Sequence, residues 1–126
     1  MMIKNFIQTR DNYFIRNGRK IILRGWALGS WMNFEHFMMG LPGTNSMILE
    51  AFEEVYGEEQ TSEWLNNLLT DMVSEQDIKY LKSIGINSIR IPFGYHYFMD
   101  DKSPGIFLDD GFRKLDRVVK LCEEYE

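Results

Sequence analysis

Ser83-Ile84-Gly85-Ile86-Asn87-Ser88-Ile89-Arg90-Ile91-Pro92-Phe93-Gly94-Tyr95 reads as the end of a helix, a glycine turn and a short strand that carries an arginine to its C-terminal end. Strand side chains alternate, so Ile86, Ser88 and Arg90 share one face and Asn87, Ile89 and Ile91 the other. A guanidinium set among aliphatic residues at a strand end is costly unless it meets an anion or a polar ligand. Pro92 has no backbone donor and stops the strand just past the arginine. Two readings of Arg90 stay open on these grounds: a group held for a ligand, or one paired with a nearby carboxylate for stability.

Upstream, Asn17-Gly18 between β-rich flanks predicts a hairpin over Phe14 to Leu23 with a type I′ turn. Ile21-Ile22-Leu23 leads into Arg24-Gly25-Trp26-Ala27-Leu28-Gly29, read as a buried strand that breaks into a glycine-punctuated loop. Gly40, Pro42 and Gly43 keep Ser30 to Ser46 from being one helix, and aromatic residues and methionines crowd Trp31 to Met39. Such density in a loop fits a binding surface or a loop packed into the core. Helical spacing begins at Ser46 and again at Thr61 or Ser62. Ser74 and Asp77 form a capping box ahead of a helix whose buried stripe is Ile78, Leu81 and Ile84, and Gly85 sits at its left-handed C-terminal position. Phe112, Leu115, Val118, Val119 and Cys122 mark a last amphipathic helix.

The order is hairpin, strand, loop, helices, strand, loop, helix. Strand and helix alternation implies parallel pairing with right-handed crossovers. Two parallel strands alone cannot bury both faces of a sheet. The expected fold is therefore α/β, the N-terminal portion of a (β/α)8 barrel of about 250 residues, truncated before its third strand. Residues 1–126 are then one incomplete domain: an N-terminal hairpin and two βα units. In such a barrel, chemistry sits at the C-terminal strand ends, where Arg90 lies.

Of 126 residues, 44% are hydrophobic, enough for a core. A net charge of −5 and a pI near 5.1 weigh against nucleic acid and anionic membranes as partners. No apolar run is long enough to span a bilayer. The first ten residues hold no apolar core of a secretory signal, so the expectation is a cytoplasmic protein. Cys122 is the single cysteine, which excludes an internal disulfide and a cysteine zinc site. His36 and His96 are too isolated to define a metal site, and no cofactor is expected.

Gly25-Trp26-Ala27-Leu28-Gly29-Ser30-Trp31-Met32-Asn33-Phe34-Glu35 resembles the Gly-Val-Asn-Leu-Gly-Gly-Trp-Leu-x-x-Glu signature of family 5 glycoside hydrolases, in the cellulase and exo-β-1,3-glucanase-like branch. Ser74 to Ile78, with Gly85 to Pro92, is similar to that branch's second helix and second strand. Phe112 to Val119 resembles the helix that follows. Together the motifs span roughly Asn12 to Glu126. Trp26-Ala27 stands where Val-Asn is usual and Ser30 replaces a glycine, so a differently shaped first loop is expected.

The resemblance implies a (β/α)8 barrel that hydrolyses β-glycosidic bonds with retention, using two glutamates about 5 Å apart. In the family these glutamates end the fourth and seventh strands, and no glutamate of this chain fills either role. Arg90 matches the second-strand arginine that hydrogen-bonds the nucleophile and keeps it ionised, as a nearby positive charge does. Glu35 falls where the glucanase branch has a carboxylate that accepts hydrogen bonds from sugar hydroxyls beside the cleaved bond. Tyr95 matches the tyrosine after the Arg-Ile-Pro motif. Trp31 and His96 are secondary candidates for contact with the sugar, Trp31 by stacking on a pyranose ring. The implied partner is a β-linked oligo- or polysaccharide. The rival reading is a non-catalytic product, inert, sugar-binding or dependent on a complementary chain; the isolated fragment is expected to be loosely folded or self-associated.

Overall fold

The computed structural model describes residues 6–125. The expectation for the first ten residues rests partly on 1–5, which lie outside the described residues. Strands β1 (Ile7–Arg10), β2 (Tyr13–Arg16) and β3 (Arg19–Ile21) form an antiparallel sheet in that order. Asn17 and Gly18 both take positive φ, 51° and 77°, as a type I′ turn demands. β1 escaped the sequence reading because all four of its residues are exposed and give no apolar alternation. Asp11, with φ of 54°, turns β1 into β2.

β4 (Gly25–Ala27) and β5 (Ser88–Arg90) form a second, parallel sheet that pairs Gly25 with Ser88, Trp26 with Ile89 and Ala27 with Arg90. Asn87 fastens its N-terminal end. The Asn87 Oδ1 accepts the Arg24 N–H at 2.7 Å, while Nδ2 donates to the Ile22 carbonyl at 2.9 Å. Beyond the strands the pairing resumes, with Leu28 N–H on the Arg90 carbonyl and Gly94 N–H on the Met32 carbonyl. The expectation of a buried first strand fails. Ile22 and Trp26 are 64% and 53% exposed, because among the described residues β4 has a strand neighbour along one edge only.

Between the two strands run α1 (His36–Met39), α2 (Asn45–Tyr56), α3 (Glu58–Asp71) and α4 (Glu75–Ser83); α5 (Asp109–Glu124) follows β5. α2 starts one residue earlier than its spacing suggested, since Thr44 caps it by accepting the Met47 N–H. α3 starts at Glu58, directly after Gly57, with Glu58 and Glu59 in the first turn where the helix dipole favours acids. The Ser74–Asp77 capping box forms as expected. Gly85 (φ 86°) closes α4, its N–H on the Lys82 carbonyl and that of Ile86 on Leu81. Ile84, expected in the buried stripe, is exposed, since it is the C-cap and lies beyond the last helical turn.

The core gathers Trp31, Met32, Leu69, Val73, Ile78, Tyr97, Phe98 and Val118, with Ile89 and Ile91 packed against it. The C-terminus of α3 is satisfied from outside. Trp31 Nε1 donates to the Leu69 carbonyl at 2.9 Å, and the Arg117 guanidinium donates to Thr70 and Val73. The fold is mixed α/β, and the described residues form no closed barrel. No described helix is long and apolar enough to cross a membrane.

Candidate functional site

The parallel register decides which side chains face together. Ile89 and Ile91 pack into the core under the helices, so the opposite face of β5 carries Ser88 and Arg90 beside Gly25 and Ala27 of β4. Small neighbours leave the Arg90 side chain exposed. Among the described residues, its guanidinium has no hydrogen-bond or ion-pair partner. The structural-pairing reading of Arg90 therefore finds no carboxylate among them.

Glu35 stands on the loop leaving β4. The loop reverses at Ser30, which is buried and takes φ of 59°, the left-handed region that glycine occupies most easily. Its hydroxyl compensates by accepting the Glu35 N–H at 3.2 Å. The Glu35 carbonyl then starts α1, accepting from Met38 and Met39. A Cβ on Gly29 would come within 3.1 Å of Glu35 Oε2 and 2.7 Å of Met38 Sδ, so glycine makes room for the carboxylate against the end of β4. That carboxylate, half-buried, also lacks a partner among the described residues.

Tyr95 and His96 begin the short 3-10 turn after β5, Tyr95–Tyr97. Tyr95 is exposed, and its phenol donates to Asp101 at 3.0 Å. That hydrogen bond and the carboxylate charge both raise the Tyr95 pKa. His96 folds back over Gly94, where a Cβ would lie 2.3 Å from its ring. Burial lowers the His96 pKa, partly opposed by the charge of Asp101.

Trp31 corrects an expectation. The ring is completely buried and its N–H is used on Leu69, so no face is open to a pyranose. It belongs to the core.

One residue joins the two loops and was not anticipated. Asn45, the first residue of α2, accepts the Phe34 N–H through Oδ1 at 2.8 Å, and its Nδ2 lies 3.3 Å from His96 Nε2. The sole signal in the sequence was an amide placed just after Pro42-Gly43-Thr44, at a helix start. Among the described residues, no three His, Cys, Asp or Glu side chains converge as a metal would require.

The arrangement is that of a mixed α/β protein with open polar groups at the C-terminal side of two adjacent parallel strands, Arg90 ending β5 and Glu35 on the loop leaving β4. Comparison with known proteins gives this arrangement relatives. The chain is 38% identical over 110 residues to a beta-xylosidase from Phanerodontia chrysosporium, covering 87% of this chain and 23% of that protein. It is 33% identical over 57 residues to cellodextrinase A from Ruminococcus flavefaciens, covering 45% and 16%. Over 117 residues it is 26% identical to a probable glucan 1,3-beta-glucosidase A from Aspergillus clavatus, covering 90% and 27%. The chain is related to the cellulase-like glycoside hydrolases. It spans only about a quarter, or less, of the length of these relatives. No family model matches it, and no solved structure does.

Proposed function

We propose that residues 1–126 supply the first two βα units of a family 5 retaining β-glycosidase with a (β/α)8 barrel. Arg90 would hydrogen-bond the nucleophile and keep it ionised, and Glu35 would accept hydrogen bonds from sugar hydroxyls beside the cleaved bond. Tyr95 and His96 would line the same mouth. The observation that carries this reading is a pair of ionic groups without partners among the described residues, Arg90 at the C-terminal end of β5 and Glu35 on the loop leaving β4. Burying charge is costly, and leaving the half-buried Glu35 carboxylate without a partner is a cost accepted where a ligand completes it, while the exposed Arg90 guanidinium stays free to meet an anion.

The acid/base and nucleophile glutamates would come from later strands of the barrel. A groove of about 500 Å³ supports the same view. It lies along the free edge of β5, between α4 and α5, and is lined by Ile89, Ile91, Val119 and Cys122. A third parallel strand laid there would pair with that edge and cover those side chains.

The substrate would be a β-linked saccharide of the β-glucan type. Because the 38% relative is named a beta-xylosidase, β-xylosides stand beside β-glucosides in the test. A full-length enzyme carrying this segment should hydrolyse nitrophenyl β-glucoside, β-xyloside or laminarin oligosaccharides with the anomeric configuration retained. Absence of turnover on all three, in a folded protein, would leave the non-catalytic reading in its place.

A further inference from the structure

We propose that Asn45 is a positioning residue that sets the protonation pattern of His96 and locks the Glu35 loop to the loop after β5. A backbone contact fixes the orientation of the Asn45 amide. Oδ1 accepts a backbone N–H, that of Phe34, so Nδ2 must be the atom facing His96. An amide nitrogen only donates, and His96 Nε2 must therefore be unprotonated, with the ring proton on Nδ1. The other groups around the ring are the Tyr95 and Tyr97 rings and the Asp101 carboxylate. Asp101 is already engaged by the Tyr95 phenol.

A single side chain at the start of α2 thus reaches the residue before Glu35 and the residue after Tyr95. Helix starts make good anchors, because the first turn is held by its own cap, here Thr44. Moving Asn45 would release both loops at once. The inference rests on the glycosidase reading in one respect, that the two loops meet the sugar.

Nitrogen NMR of the full chain with labelled histidine tests it directly. There are only two histidines, and His36→Gln assigns them. Expected is a His96 protonated on Nδ1 in the neutral form. Asn45→Asp keeps an acceptor for Phe34 but sets a carboxylate against Nε2. It should move the proton to Nε2 and raise the His96 titration midpoint by roughly one to three units. Asn45→Ala should leave a tautomer mixture. A wild-type His96 protonated on Nε2, or a titration that Asn45→Asp leaves in place, overturns the proposal. Failure of the glycosidase reading shows elsewhere, as a full-length enzyme carrying this segment that keeps the expected His96 tautomer yet neither binds nor cleaves laminarin oligosaccharides.

Discussion

Arg90 and His96 carry the residue-scale tests. Lysine at position 90 would keep the charge and lose the planar fork, which is not conservative where two oxygens must be met at once. In a complete enzyme, Arg90→Lys should lower kcat by about 100-fold or more, in line with the loss of other preorganised electrostatic groups. Its melting temperature should barely move, since the guanidinium touches no described partner. Activity that survives alongside a collapse in stability would mean a structural arginine. For His96, burial holds the folded pKa below the ordinary value of 6.5. Between that lowered value and 6.5 the unfolded chain binds more protons than the folded one, so stability rises with pH. The contribution is present above the unfolded pKa and lost as pH falls through the folded one. Denaturant midpoints of wild type and His96→Gln, measured across that window, should therefore converge or cross on acidification. Parallel pH profiles would show that the ring is not buried as described.

At the scale of elements, two close approaches decide how β5 and α5 are seated. A Cβ on Gly111 would fall 2.0 Å from the Tyr97 carbonyl oxygen and 2.8 Å from its carbon. Alanine favours an exposed helix over glycine by about 1 kcal/mol. Here the obstacle is backbone and cannot swing aside. Gly111→Ala should therefore destabilise, by about 1–3 kcal/mol as overpacked sites do. A raised melting temperature would show that α5 shifts freely. Asn87 is the second case. Its side chain makes two cross-strand hydrogen bonds, to Arg24 and Ile22, at the start of the parallel pair. Each is worth about 1 kcal/mol net, so Asn87→Ala should cost roughly 2 kcal/mol. Hydrogen exchange should quicken at Arg24, whose N–H loses its acceptor.

For the whole molecule the question is whether 126 residues stand alone. β4 and β5 pair with each other and show no further strand neighbour among the described residues. Phe37, Ile106 and Phe107 are each more than 60% exposed, and the groove beside β5 is lined by Ile89, Ile91 and Val119. Contiguous exposed apolar surface drives association. The isolated chain is expected to self-associate or melt without cooperativity, and, on the proposed reading that both catalytic carboxylates lie on later strands, to hydrolyse no nitrophenyl β-glycoside. Sedimentation at a monomeric mass together with a sharp two-state melt would contradict the first expectation. Turnover by chain freed of contaminating hydrolases would contradict the second.

Local chemistry wrote much of this protein plainly. Asn17-Gly18 can hardly do anything but turn a hairpin, and Ser74 with Asp77 caps a helix wherever that helix packs. Gly85 ends it because a Cβ there would be strained at positive φ. The alternation around Arg90 correctly separated Ile89 and Ile91 from the guanidinium, because a strand's period of two leaves no other choice. Burial and partnership were not legible, since both depend on residues far away in the chain. Trp31 is consumed by a carbonyl 38 positions on, and Asn45 meets His96 across 51. Trp26 is exposed although its apolar run reads as buried, since what covers a strand is decided by which neighbours arrive. The sequence by itself determined the turns, caps and strand faces, which are short-range. Only the tertiary structure decided which aromatic was core, which polar groups were left open, and that one amide joins the two loops.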